Sequence, residues 1–143
     1  MKKVTIIYWS GTGNTEMMAN AISEAVKDVG NSVDVVRVED ANKDMVINSE
    51  LLAFGCPSMG AEVLEEELME PFIESIKDID FNGKKVALFG SYDWGDGEWM
   101  RDWEERMKGY GASIVDEGLT IHLTPDDDGI EKCKDLGDSL AKA

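Results

Sequence analysis

The stretch Val4-Thr5-Ile6-Ile7-Tyr8-Trp9-Ser10-Gly11-Thr12-Gly13-Asn14-Thr15 decides the fold. Its first half is a short apolar run with β-branched residues, the pattern of a buried strand. Its second half holds two glycines, three hydroxyls and one amide, with no charged side chain. Beyond it, Met18, Ala21, Ile22, Ala25, Val26 and Val29 recur at helical spacing, and Gly30-Asn31 closes the run. The chain therefore begins as strand, polar loop and helix.

The same unit repeats. Residues 33–38 alternate and are rich in valine, as a second strand should be. A short helical turn fits 43–46. Residues 51–55 and 84–90 read as strands three and four. A fifth strand is expected over 114–115 and 119–121, interrupted at Glu117-Gly118. Helices are expected over 64–79, with Pro71 disturbing or restarting the first turn, over 98–109, and over 126–140 behind Thr124-Pro125-Asp126. Five βα units predict an α/β fold: an open, doubly wound, five-stranded parallel sheet with helices on both faces. Ligands of such sheets sit beyond the carboxyl ends of the strands, which selects the loops 10–15, 56–62 and 91–97.

Composition narrows the class. A chain of 143 residues with 43% hydrophobic content fits one domain over 1–143 with one interior. The start Met1-Lys2-Lys3 runs straight into the first strand, with too short an apolar stretch for a signal peptide. No apolar run approaches the roughly 20 residues of a membrane span. Cys56 and Cys133 form no CxxC pair, and His122 is the single histidine, so a metal site is not expected. The chain reads as cytoplasmic, with reduced thiols. Thirty acidic against fourteen basic residues give a net charge of −16, which repels nucleic acid and anionic lipid. Partners should present basic patches, although acidity by itself serves solubility equally well.

The loop Ser10, Gly11, Thr12, Gly13, Asn14, Thr15 suits a phosphate. Backbone N–H groups at a helix start and the helix dipole attract an anion, and hydroxyls add donors. A Walker loop would place lysine where this chain has Asn14, and the spacing is not GxGxxG. A single terminal phosphate fits better than a triphosphate with magnesium.

Tyr8-Trp9-Ser10-Gly11-Thr12-Gly13-Asn14-Thr15-Glu16 resembles the FMN-phosphate loop of flavodoxins, in particular the short-chain members of clostridial and Megasphaera type. Gly55-Cys56-Pro57-Ser58-Met59-Gly60-Ala61-Glu62 and Gly90-Ser91-Tyr92-Asp93-Trp94-Gly95-Asp96-Gly97-Glu98-Trp99-Met100 are similar to the flavin-ring loops of the same group. The likeness runs from about residue 4 to 106, and 133–137 also look similar. The resemblance implies the strand order 2-1-3-4-5, a non-covalent FMN, and an electron carrier with no catalytic residue. It implies that Ser10 to Thr15, Pro57 to Glu62, and Ser91, Tyr92, Asp93, Trp94 and Gly95 hold the cofactor.

The chemistry of these positions can be read separately. A planar, polarisable ring suits Trp94 stacked on one face and the Met59 thioether against the other, and the resemblance implies the same two roles. Composition alone leaves Met59 open as core filler. Trp99 and Trp103, four apart on a helix, read as packing residues, and Trp9 can pack beside the phosphate loop. The resemblance implies a Gly60-Ala61 peptide that flips its carbonyl towards the ring as a semiquinone gains its proton, which glycine permits. Glu62 would accept from the ring's N3–H; its alternative is a solvated carboxylate at a helix start. Ser58 can offer a hydroxyl, while Pro57 has no N–H to give. Two departures stand out: Ala61 where relatives often carry a polar residue, and Asp93 where they tend to have glycine.

Glu62, Glu65, Glu66, Glu67, Asp93, Asp96 and Glu98 fall on or beside the ring loops. Negative charge disfavours an anionic, fully reduced ring. Charges worth on the order of 0.5–1 kcal/mol each would lower the second potential by roughly a hundred millivolts, at about 59 mV per tenfold. The expected carrier shuttles between semiquinone and hydroquinone. Its expected partners are redox proteins with basic docking patches, such as ferredoxin-dependent oxidoreductases; a monomer is expected. The alternative is an FMN or quinone reductase of the same fold, which would need room for substrate beside the ring. A phospho-acceptor signalling domain needs an acidic pair near the end of strand one and an aspartate ending strand three, and neither is present. A non-flavin binding module is the blandest alternative. Cys56 lacks the downstream arginine of a low-molecular-weight phosphatase loop and reads as a small buried residue.

Overall fold

Strands rich in Val, Ile, Leu and Phe on both faces must be covered on both faces, and that requirement organises the molecule. The computed structural model describes residues 2–143; Met1, which opens the expected domain, lies outside them. The elements run β1 (Val4–Tyr8), α1 (Asn14–Val29), β2 (Val33–Arg37), α2 (Lys43–Ile47), β3 (Leu51–Gly55), α3 (Met69–Ser75), β4 (Lys85–Tyr92), α4 (Glu98–Gly109), β5 (Ser113–Ile114), β6 (Leu119–His122) and α5 (Asp127–Ala141). All pairs are parallel, in the order β2-β1-β3-β4-β5, with β6 also on β4. The interrupted fifth strand is thus two pieces. Ser113 pairs with Lys85 and Leu119 with Phe89, so both lie along one edge of β4.

The period-2 alternation of the strands divides the core. Ile7, Leu52, Phe54, Val86 and Leu88 face α3 and α4, with Met69, Ile73, Trp99, Trp103 and Met107. Ile6, Tyr8, Ala53, Ala87 and Phe89 face α1 and α5, with Met18, Ile22, Val26, Cys133, Leu136 and Leu140. Trp99 and Trp103 are buried packing residues, as their spacing predicts. Truncating a buried Leu or Phe in either layer would cost about 2–5 kcal/mol.

The helix expected over 64–79 is shorter. Glu65 accepts from the backbone N–H groups of Glu67, Leu68 and Met69 at 2.8, 2.7 and 2.9 Å. That side chain competes with the helical ladder, so 66–68 form a turn and the helix starts at Met69. Pro71 stands in its first turn, where a missing N–H costs nothing. Burial opposes the Glu65 charge, but the three N–H donors outweigh it and hold the carboxyl below its ordinary value.

Candidate functional site

At the carboxyl ends of β1, β3 and β4 lies a cleft of about 260 Å³. Trp9, Ser10, Gly11, Thr12, Asn14 and Thr15 form one wall. Pro57, Ser58 and Met59 with Ser91, Tyr92, Asp93 and Leu123 form the rest. All three loops selected by the strand-end rule converge here. The volume is just under the roughly 300 Å³ at which small-molecule pockets begin.

The first wall is built by the strand-to-helix turn. Gly13 sits at φ 99°, a left-handed conformation that glycine adopts without a Cβ penalty, at the N-cap of α1. Ser10 Oγ accepts from the N–H groups of Gly13 at 3.1 Å and Glu16 at 3.3 Å. Among the described residues, the N–H groups of Gly11, Thr12, Asn14 and Thr15 have no acceptor. Four donors left over at a helix start are a cradle for an anion. Thr15, 1% exposed, ties the cradle to β4: its hydroxyl is 3.1 Å from Ser91 Oγ and accepts from the Ser91 N–H. Thr124 donates to Asn14 Oδ1. Among the described residues no lysine or arginine lines the cleft, and the one carboxylate lining it is Asp93. Dipoles and hydroxyls suit a phosphate monoester, so this donor set fits that group.

The other two loops are held by long-range bonds. Ser58 N–H donates to the Ser91 carbonyl at 3.0 Å, and Met59 and Val63 exchange two backbone bonds at 2.9 and 3.0 Å. Gly60 stands at φ 47° and Glu62 at φ 57° within that closed turn. Glu62 Oε1 accepts from the N–H groups of Gly97 and Glu98, both at 3.1 Å. It therefore caps α4 from 35 residues upstream, and one acidic side chain joins the two ring loops. Gly13, Gly60, Ala61, Glu62, Trp94 and Gly95 do not line the cleft itself, and Trp94 is 59% exposed.

Two residues beyond the expected set line the cleft. Trp9 packs its ring over Gly11, where a Cβ would come within 2.9 Å of it. Leu123, at φ 60° and 45% exposed, comes from the loop after β6. His122 Nε2 donates to the Asp93 carbonyl at 3.0 Å, so this fourth loop braces the third. The strand-end rule, applied to the fifth strand as well, selects it.

The acidic residues are not equivalent. Glu65 is 7% exposed and turned inward, while Asp96 pairs with Arg101 at 3.1 Å. Cys56 is buried, its thiol pushed up to about 12 by desolvation, which suits a packing residue and not a nucleophile. Among the described residues no His, Cys, Asp and Glu cluster could hold a metal ion. No helix among them is long and apolar enough to cross a membrane.

A parallel α/β sheet with a cation-free anion cradle and two braced loops beside it, at the carboxyl ends of the strands, places the protein in the doubly wound class that binds ligands there. The flavodoxin family description matches residues 6–137. The chain is 50% identical to a Clostridium beijerinckii flavodoxin over 95% of its length and 97% of that protein's. It is 46% identical to the Megasphaera elsdenii flavodoxin, over 98% and 99%. The solution structure of the two-electron reduced M. elsdenii flavodoxin superposes with a TM-score of 0.87, covering 98% and 99% of the two chains at 47% identity. The chain belongs to the flavodoxin family and is of the short-chain clostridial type. Its cofactor is FMN, and it is an electron carrier, not an enzyme.

Proposed function

We propose that the chain is a low-potential, one-electron carrier that works between the one-electron and two-electron reduced levels of its FMN. The four N–H groups of the cradle without an acceptor support a phosphate held there, and the carboxylates on and beside the ring loops support the low potential. FMN supplies reversible one-electron chemistry on its ring. Ser10, Gly11, Thr12, Gly13, Asn14 and Thr15 would hold the phosphate through N–H groups and hydroxyls, with Ser58 adding a donor and Pro57 shaping the wall. The cleft's volume suits the phosphate and its polyol tail, which leaves the ring to the rim.

Met59 from the cleft wall and the exposed Trp94 would sandwich the ring, with Ser91, Tyr92, Asp93 and Gly95 along its edge. Glu62 keeps one carboxylate oxygen beyond its two N–H partners, and this oxygen would accept the ring's imide N–H. The Gly60-Ala61 peptide would turn its carbonyl to accept a hydrogen bond from a protonated ring nitrogen, a turn that glycine, here at φ 47°, makes easier. Glu66, Glu67, Asp93 and Glu98 would disfavour an anionic ring. Glu65 contributes less than its position suggests, because backbone N–H groups already compensate its charge.

The same acidic surface would steer partners that present basic patches, with ferredoxin-dependent oxidoreductases as the class that fits. We assign the chain to the cytosol, as a monomer built on one FMN-binding domain. Potentiometric titration tests the reading: two well-separated one-electron steps are expected. A single two-electron step would overturn it.

A further inference from the structure

We infer that Arg37, at the end of β2, is a positioning residue for FMN: it sets the direction of the Gly11 N–H by holding the carbonyl on the other side of the same peptide. Arg37 Nη2 donates to the Ser10 carbonyl at 2.9 Å. The Ser10-Gly11 peptide is trans, so its C=O and N–H point in opposite directions. A carbonyl drawn towards β2 therefore sends the Gly11 N–H away from β2. Gly11 lines the cleft, and its N–H has no acceptor among the described residues. The bond to a guanidinium also polarises the peptide and strengthens that N–H as a donor.

The guanidinium is itself held by three neighbours, although over a third of the side chain meets solvent. Nη1 donates to Glu16 Oε1 at 3.0 Å, and Nε donates to Glu39 Oε2 at 3.4 Å. The group lies over the Tyr8 ring at 5.4 Å from its centroid, and Tyr8 Oη donates to the same Glu16 oxygen at 3.0 Å. Tyr8 and Arg37 are register partners in the β1–β2 pair, so the sheet sets this clamp before the loop begins. Two carboxylates on one guanidinium leave little net charge for a phosphate. Arg37 therefore acts through the geometry of its planar fork, which an ammonium does not reproduce.

The inference rests on the phosphate being held at residues 10–15, and the test separates the two. FMN and riboflavin, which lacks the phosphate, are titrated into the apoprotein of the wild type, R37Q and R37K. The wild type should prefer FMN. In R37Q the ratio of FMN to riboflavin affinity should fall about tenfold, with riboflavin affinity within about twofold of wild type; R37K should recover less than half of the loss. Wild-type protein that binds both flavins equally would remove the phosphate cradle itself. An unchanged ratio in R37Q, equal losses for both flavins, or full recovery in R37K would overturn the positioning role alone. The wild type gives a second readout independent of any variant's folding. Its Gly11 amide proton should move downfield in the NMR spectrum on adding FMN and not on adding riboflavin; the same small shift with both would overturn the inference.

Discussion

The phosphate cradle and the ring loops solve the same problem in different ways. The cradle closes on itself before it is braced: Ser10 accepts from Gly13 and Glu16, within six residues of chain, and bonds to Arg37, Ser91 and Thr124 then anchor the closed loop. The ring loops have little internal bonding apart from the Met59–Val63 pair. They are held across the sequence, by Ser58 to Ser91, Glu62 to Gly97 and Glu98, and His122 to Asp93. A phosphate needs a fixed set of donors. A ring that changes its protonation needs loops that can adjust, and loops tied at few points adjust more cheaply.

The largest break in this comparison should come from Ser10→Ala. Removing the hydroxyl leaves two more N–H groups without acceptors and loosens the cradle, at a cost of about 2 kcal/mol. That is roughly thirtyfold in FMN dissociation. Riboflavin affinity should change far less, and fluorescence titration with both flavins checks it.

Trp94→Ala should act on the opposite side. It should weaken FMN and riboflavin alike, by about 1 kcal/mol for the lost stacking. A loss confined to FMN would show that Trp94 serves the phosphate and not the ring.

Glu62→Gln should sharpen the contrast. It removes a charge from the start of α4, worth about 0.3–1 kcal/mol of apoprotein stability. It should also raise the potential of the step to the fully reduced flavin. Thermal melting of the apoprotein and potentiometry of the FMN-loaded variant separate the two effects. An unchanged potential would confine Glu62 to bracing the loops.

Acid should loosen the two regions in sequence. The Glu65 carboxyl, at the base of the ring loop, is held below its unfolded value of about 4.3. Its stabilisation is therefore complete above that value and is lost as pH falls through the lower folded one. The closure of the cradle at Ser10 uses a hydroxyl and backbone amides, which do not titrate there. Amide exchange in 64–69 should rise in acid before exchange in 13–17; the reverse order would contradict this account. The smallest effect in energy should be on docking. Association with a basic redox partner should slow steeply as salt screens the acidic rim, and a flat dependence would place docking elsewhere.

Most of the fold was legible because its signals are local. The Gly/Ser/Thr turn after β1, the helical stripe of α1 and the Gly30 stop each lie within one element, and α1 and α4 begin and end where the pattern predicts. The helix expected from residue 64 starts only at Met69 because the Glu65 side chain replaces a turn of helix, and hydrophobic spacing does not register such competition. The cradle was legible for the same local reason. Leu123 was not, since it enters from a loop more than a hundred residues away from Gly11 and carries no motif. Arg37 was likewise hidden: nothing near it in sequence reveals that its fork reaches the Ser10 carbonyl.

The sequence by itself determined a parallel sheet, a cation-free Gly/Ser/Thr turn at Ser10 to Thr15, and an acidic surface, since each follows from side chains within a few residues of one another. Only the tertiary structure decided which groups face the cleft. It turned Glu65 inward, set Glu62 across to α4, and put Arg37 behind the Ser10-Gly11 peptide. The reason is physical: a hydrogen bond between distant segments exists only after the sheet has fixed their positions, and no local pattern encodes that distance.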